Sequence, residues 1–146
     1  MAPDSDRRLA WLRQKAAARG LRMTPQREVL LRALSRSRTH PTADALFRKV
    51  RRELPSISHA TVYRNLQELV RTRLIATLER AGGAIQYDAN PDDHHHFICS
   101  RCGVVSDIYL RDVDYAIDRR RSTIAPSRID RAELQLHGVC ERCAKP

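Results

Sequence analysis

Apolar residues recur at helical spacing through the first half of the chain. Leu9, Leu12, Ala16 and Ala17 form one stripe between Asp6 and Arg19, and Gly20 is placed to end that helix. Thr24-Pro25 supplies an N-cap hydroxyl and a first-turn proline, ahead of a stripe of Val29, Leu30, Ala33 and Leu34. After His40-Pro41, Thr42 caps a third helix with Ala45, Leu46, Val50 and Leu54 on one side, and Pro55 ends it. Ser58 opens a fourth, with Val62, Leu66, Leu69 and Val70 turned inward and Ala60, Thr61, Tyr63, Arg64 and Gln67 turned out.

The pattern then changes period. Leu74-Ile75-Ala76-Thr77-Leu78 and Ala84-Ile85-Gln86-Tyr87 flank Gly82-Gly83, a hairpin signal. Helices followed by a two-stranded hairpin describe a winged helix, in which the helix before the hairpin, here starting at Ser58, enters the major groove of DNA. Asn90-Pro91-Asp92-Asp93 reads as a linker, which gives a first domain over residues 1–89 and a second over 90–146. Strands are expected at His96–Cys99, Val104–Leu110 and Glu133–His137, with a short helix from Val113 to about Thr123. The fold class is α+β. The second region is too short and too poor in apolar residues to be stable unaided, so a metal staple and oligomerisation are expected.

Charge sharpens the division. The 146 residues carry a formal charge of +10; residues 1–90 hold 18 basic and 8 acidic side chains, and residues 91–146 hold 9 of each. All the excess positive charge therefore lies in the part that reads as a winged helix, as expected for a region facing a polyanion. Only three of the 27 basic residues are Lys, so a general preference for Arg accounts for part of the pattern. No signal-peptide run is present, and nowhere are there the roughly 18 consecutive apolar residues of a membrane span. A cytoplasmic protein without a membrane partner is expected. In that compartment Cys99, Cys102, Cys140 and Cys143 read as metal ligands before disulfides.

Cys99-Ser-Arg-Cys102 and Cys140-Glu-Arg-Cys143 are two C-x-x-C knuckles separated by 37 residues. Four thiolates in a tetrahedron suit structural Zn²⁺ and leave no position open for chemistry; a dithiol redox pair is the competing reading. Just upstream stands Asp92-Asp93-His94-His95-His96. In a strand His94 and His96 share a face while His95 points away. Imidazole and carboxylate donors without thiolate suit Fe²⁺, Mn²⁺ or Zn²⁺. A catalytic metal at His94, His96 and Asp88 is the enzymatic alternative, but no general base accompanies it, and the chain is expected not to be an enzyme. A zinc-dependent interaction module is a third class, and it leaves the basic half unexplained.

Thr24-Pro25-Gln26-Arg27, His40-Pro41-Thr42-Ala43, Ser58-His59-Ala60-Thr61-Val62-Tyr63-Arg64-Asn65-Leu66, His94-His95-His96-Phe97-Ile98-Cys99 and both knuckles, in this order, resemble the ferric uptake regulator family of bacterial repressors. The resemblance runs from about Leu9 to Cys143. It implies a metal-dependent homodimeric repressor with an N-terminal winged-helix DNA-binding domain and a C-terminal α/β dimerisation domain. It assigns structural zinc to the four cysteines and a regulatory Fe²⁺ or Mn²⁺ to His40, Asp88, His94, His96 and Asp107. Aspartate at both 88 and 107 is similar to the peroxide-sensing branch, in which iron-catalysed oxidation of histidine, here His40 and His94, releases DNA. The alternative is an iron- or other metal-responsive repressor of metal-uptake genes. The resemblance further implies an A·T-rich palindromic operator, contacted by Ser58, Thr61, Tyr63 and Arg64 in the major groove and by Arg22 in the minor groove. Two departures stand out. Arg131-Ala132 occupies a place where some members carry a further metal-binding histidine, so that site is not expected. His137 stands where an aromatic residue is usual and is read as a packing substitute, with a nearby alternative ligand as the other reading.

Overall fold

A computed structural model describes residues 2–80 and 82–146. The chain divides into two compact units, Met1–Asp92 and Asp93–Pro146.

The first unit contains α1 (Ala2–Ala18), α2 (Pro25–Ser35), α3 (Ala43–Glu53), α4 (His59–Arg71), β1 (Ala76–Glu79) and β2 (Ile85–Asp88). Three helices start where the sequence places a hydroxyl. Thr24, Thr42 and Ser58 each sit in extended backbone and accept the N–H of Arg27, Ala45 and Thr61 respectively, satisfying a donor that the helix leaves open. α1 ends in a Schellman turn: Leu21 N–H reaches back to Ala16 C=O at 2.9 Å and Gly20 N–H to Ala17 C=O at 3.0 Å, with Gly20 at φ +69°. α4 closes in the same way, Leu74 N–H to Leu69 C=O at 2.9 Å, but its left-handed residue is Arg73 at φ +57°.

α2 packs against α1, α3 and α4. Its buried face is accordingly wider than a single stripe: Leu31, outside the expected set, is fully buried beside Val29, Leu30 and Leu34, while Ala33 is only partly covered. Leu12, Leu46, Val50, Val62, Leu66 and Leu69 complete this core. Leu74 and Ile75 are buried in it too, so the first strand of the hairpin begins only at Ala76. β1 and β2 pair antiparallel from Ala76↔Asp88 to Glu79↔Ile85, the wing of a winged helix. Gly82 and Gly83, at φ +101° and +83°, form its tip, and Gly83 N–H bonds Arg80 C=O. Tyr87 N–H donates to Pro41 C=O and Gln86 bridges Thr42, so the far strand of the wing also fixes the entry to α3.

The second unit contains β3 (His95–Cys99), β4 (Val105–Ile108), β5 (Gln135–Gly138) and the one-turn α5 (Glu141–Ala144). β3 is central, antiparallel to β4 and parallel to β5. The helix expected from Val113 to Thr123 is not formed. Asp112 takes a left-handed φ of +53° ahead of it, Val113, Tyr115 and Ile117 alternate instead of recurring every third or fourth residue, and Asp118 draws the N–H groups of Arg120 and Arg121 onto its own carboxylate. Val113, Tyr115, Ile117 and Ile124 are all exposed, as are Leu134 just before β5 and Leu136 on it. Interior side chains here are few: Cys99, Val105, His94 and His96. No helix among the described residues is long and apolar enough to cross a membrane.

Candidate metal centres and nucleic-acid interface

Strand register assembles the four cysteines. β3 runs parallel to β5 with Cys99 opposite Gly138, so the chain leaving β5 reaches Cys140 beside the end of β3. Cys102 follows β3 in a tight turn closed by Gly103 N–H to Cys99 C=O at 2.8 Å, with Gly103 at φ +70°. Cys140 caps α5, whose single turn brings Cys143 back to the cluster. Close approach at Gly138 depends on its missing side chain, since a Cβ there would meet the Phe97 ring at 3.2 Å. None of the four cysteines is in a disulfide, their sulfurs lie within 4.8 Å of one another, and Cys102 Sγ stands 3.8 Å from Cys140 Sγ. A disulfide needs about 2.05 Å, whereas a tetrahedron with Zn–S bonds of about 2.3 Å has edges of about 3.8 Å.

The thiols are electrostatically unequal. The N–H groups of Cys102 and Cys140 point at Cys99 Sγ and lower its pKa to about 6, while hydrogen bonding with Cys102 and Cys140 pushes Cys143 up to about 12. Arg142 lies against Cys102 Sγ. Backbone N–H groups therefore favour the thiolate at Cys99 and, through Val104 N–H, at Cys102, and a bound cation is what ionises all four.

A second set of donors gathers on the same sheet. His96 is paired with Asp107 across β3 and β4, so both side chains leave one face, and His94 stands two residues upstream on that face. His94 Nε2 lies 3.1 Å from His96 Nε2, and Asp107 Oδ1 is 3.6 Å from each. Two nitrogens bound cis to one ion at about 2.1 Å stand about 3.0 Å apart, so the pair is spaced for a shared metal. His96, 1% exposed, meets Glu133 Oε1 at 2.9 Å through Nδ1. An Nδ1 proton facing that carboxylate leaves Nε2 turned to Asp107 and His94, available to an ion. His95 turns away, its Nδ1 accepting Leu134 N–H.

In the first unit, His40 and Asp88 form their own buried pair, Nε2 to Oδ2 at 4.0 Å. Asp88 Oδ1 accepts Asn90 N–H at 2.8 Å, closing a turn at the end of the wing. The Pro41–Tyr87 bond holds the two chain segments side by side. The structure thus brings together His94, His96 and Asp107 within the second unit and His40 and Asp88 within the first.

On α4, Tyr63 is 40% exposed and Arg64 is exposed. The hydroxyls of Ser58 and Thr61 lie 2.8 Å apart, with Ser58 also capping the helix. Arg22 is exposed in the loop before α2. Sequence reasoning overlooked His59, whose ring packs 4.8 Å from that of Tyr63 and whose Nε2 lies 2.6 Å from Asp44 Oδ1. Glu133 also escaped it, because nothing in the spacing ties a residue 37 positions downstream to His96. His137 lies on β5 and is exposed in the single chain.

A winged helix followed by a small sheet that carries a four-thiolate cluster and an imidazole–carboxylate cluster defines a class of metal-binding, DNA-binding protein. The ferric uptake regulator family profile matches residues 18–137. The peroxide operon regulator of Bacillus subtilis (strain 168) is 32% identical over 126 residues, 86% of each chain, and the peroxide-responsive repressor PerR of Staphylococcus aureus (strain Mu50) is 32% identical over 85% of this chain and 83% of its own. Among solved structures, a zinc-bound manganese uptake regulator superposes with a TM-score of 0.66 at 31% identity, covering 88% of this chain and 98% of that one. The chain belongs to the ferric uptake regulator family. Its relatives there are named as a peroxide operon regulator and a peroxide-responsive repressor.

Proposed function

We propose that this protein is a metal-dependent, homodimeric transcriptional repressor that senses peroxide. The observation that carries the metal reading is the His94–His96–Asp107 cluster, with its imidazole Nε2 atoms converging beside the carboxylate and Nδ1 of His96 held by Glu133. Nitrogen and oxygen donors fit Fe²⁺ or Mn²⁺, and the four thiolates fit structural Zn²⁺. His40 and Asp88 complete the regulatory set, since three donors leave a first-row divalent ion under-coordinated and these two are buried, of the right chemistry and drawn from the DNA-binding unit, residues 1–89. An ion held by both sets fixes the winged helices of a dimer at the spacing of successive major grooves. The residues 90–146 supply the dimer contact: β5 is an edge strand of its sheet, and the exposed Leu136 on it and Leu134 just before it suit a second copy.

Aspartate at both 88 and 107, together with relatives named as peroxide regulators, favours peroxide over iron level as the signal. Ferrous iron held by these residues would supply the chemistry that cleaves the peroxide O–O bond. His40 and His94 would offer the ring carbons that are oxidised, one peroxide oxygen remaining on the ring and the other leaving as water, and an imidazole so oxidised loses the basicity that held the metal. The protein then releases an A·T-rich palindromic operator contacted by Arg22, Ser58, Thr61, Tyr63 and Arg64. It works in the cytoplasm, where thiols stay reduced, and as a regulator, not an enzyme. The test is anaerobic loading with Fe²⁺ or Mn²⁺, DNA binding before and after micromolar peroxide, and mass spectrometry of the peptides containing His40 and His94. Gain of one oxygen and loss of binding with iron alone support the reading; metal-dependent binding that survives peroxide with both histidines intact shows a metal-level sensor instead.

A further inference from the structure

Arg27, in the first turn of α2, joins two segments assigned to different grooves of DNA. Its Nη1 donates to the carbonyl oxygen of Arg22 at 2.6 Å, and its Nε donates to Asn65 Oδ1 at 2.9 Å. Asn65 in turn donates through Nδ2 to the carbonyl oxygen of Thr61 on α4, one turn back, at 2.8 Å. The backbone N–H of Arg27 is itself fixed by Thr24 Oγ1, so both ends of the residue are anchored. One planar guanidinium therefore sets the distance from the backbone that carries Arg22 to the turn that carries Thr61, Tyr63 and Arg64. We propose that Arg27 is a positioning residue that makes minor-groove and major-groove reading a single event. The inference rests on the DNA-binding reading above.

The physical reason lies in the rigidity of the fork. Arg22 is on an exposed loop, and a loop cation alone gains little from a narrow minor groove, because it must first be ordered. Held at a fixed offset from α4, it arrives already aligned when α4 docks, so its contact costs little additional entropy. Lysine keeps the charge at position 27 but offers no planar pair of donors in fixed directions, so it cannot make both bonds in the same geometry.

The experiment uses full-length, zinc- and Mn²⁺-loaded protein and a duplex that the wild type selects from a randomised pool. Arg27→Lys is expected to lower affinity for that duplex by about tenfold while binding to random duplex and the salt slope stay as in the wild type. Replacing flanking A·T pairs by G·C, which places an amino group in the minor groove, should penalise the wild type and scarcely affect Arg27→Lys; inosine·cytosine pairs, which lack that group, should restore wild-type binding. Asn65→Ala should produce the same loss without adding to that of Arg27→Lys, and equal melting temperatures exclude unfolding as the cause. A uniform loss on all sequences with a salt slope reduced by about one would show that Arg27 merely neutralises a phosphate, and overturn the proposal. Unchanged flank discrimination in both variants would overturn it too. A wild type that selects no duplex is a different failure, that of the DNA-binding reading itself.

Discussion

Removing the carboxylate behind His96 should weaken the regulatory site without touching the thiolate cluster. Glu133 accepts the Nδ1 proton of His96 at 2.9 Å, and Arg131 lies 3.7 Å from its second oxygen. In Glu133→Ala the imidazole loses the partner that fixes its tautomer and part of its basicity. Loss of such an outer partner lowers metal affinity by about 10–100-fold, or about 1.4–2.7 kcal/mol. The Glu133 side chain is 36% exposed, so water replaces part of the lost bond and the lower end of that range, roughly tenfold, is expected. Glu133→Gln keeps an acceptor for Nδ1–H and should lose about threefold. Titration of the zinc-loaded protein with Mn²⁺, followed by the loss of the free-ion paramagnetic signal, gives these constants, and a zinc-release assay confirms that Cys99, Cys102, Cys140 and Cys143 remain filled. An affinity for Glu133→Ala within twofold or so of the wild type would refute the orienting role. A loss in Glu133→Gln equal to that in Glu133→Ala would show that charge, not ring orientation, is at work.

Three further outcomes are expected. Cys99 ionises at about 6 when folded, below the ordinary thiol value of 9.0, so its thiolate stabilises the metal-free fold above pH 9 and that contribution is lost as pH falls through 6; thiolate ultraviolet absorbance of the zinc-free protein should show an early rise that begins with Cys99 and a late one near 12 from Cys143. Arg73→Gly relieves a left-handed φ of +57° at the end of α4 and should raise stability by about 0.5–1 kcal/mol in chemical denaturation, because the Arg19 contact is to the backbone carbonyl and survives. Arg64→Ala should weaken specific DNA binding by about 1–3 kcal/mol at fixed salt in a gel-shift titration, and an unchanged affinity would remove its base contact.

Local chemistry was legible in the sequence, and long-range chemistry was legible only where a motif carried it. Thr24, Thr42 and Ser58 cap helices because a hydroxyl in extended backbone has one good use there. The two knuckles announce a closed cluster whatever lies between them. By contrast, the burial of Leu31 follows from α2 having helices on three sides, which no single stripe records. The expected helix after Val113 failed because its apolar residues alternate and because Asp118 caps a turn of its own. The bonds of Arg27 to Asn65 and of His96 to Glu133 join residues 38 and 37 positions apart, and neither residue type is rare enough to stand out alone.

The second unit makes a last prediction that follows from what its interior is made of. Of its buried side chains, only Val105 is neither an imidazole nor a cysteine of a proposed metal site; the others are His94, His96 and Cys99. Imidazoles and a thiol contribute little apolar burial, so little hydrophobic stabilisation remains in this unit when its donors hold no ion. Ligand binding and folding are then the same equilibrium: an ion bound only by the folded form at one hundred times its dissociation constant adds about 2.7 kcal/mol. Melting of the zinc-loaded protein should therefore rise with added Mn²⁺ in proportion to the logarithm of its concentration, and His96→Ala should abolish that dependence while keeping the zinc. Removal of the zinc should do more, exposing the edge of β5 and the apolar residues beside it, so that the second unit loses its sheet while the capped helices of the first persist. Circular dichroism that showed sheet and helix lost together on zinc removal would mean that the first unit depends on the second for its fold, contrary to the separate core built on Leu12, Leu31 and Leu66.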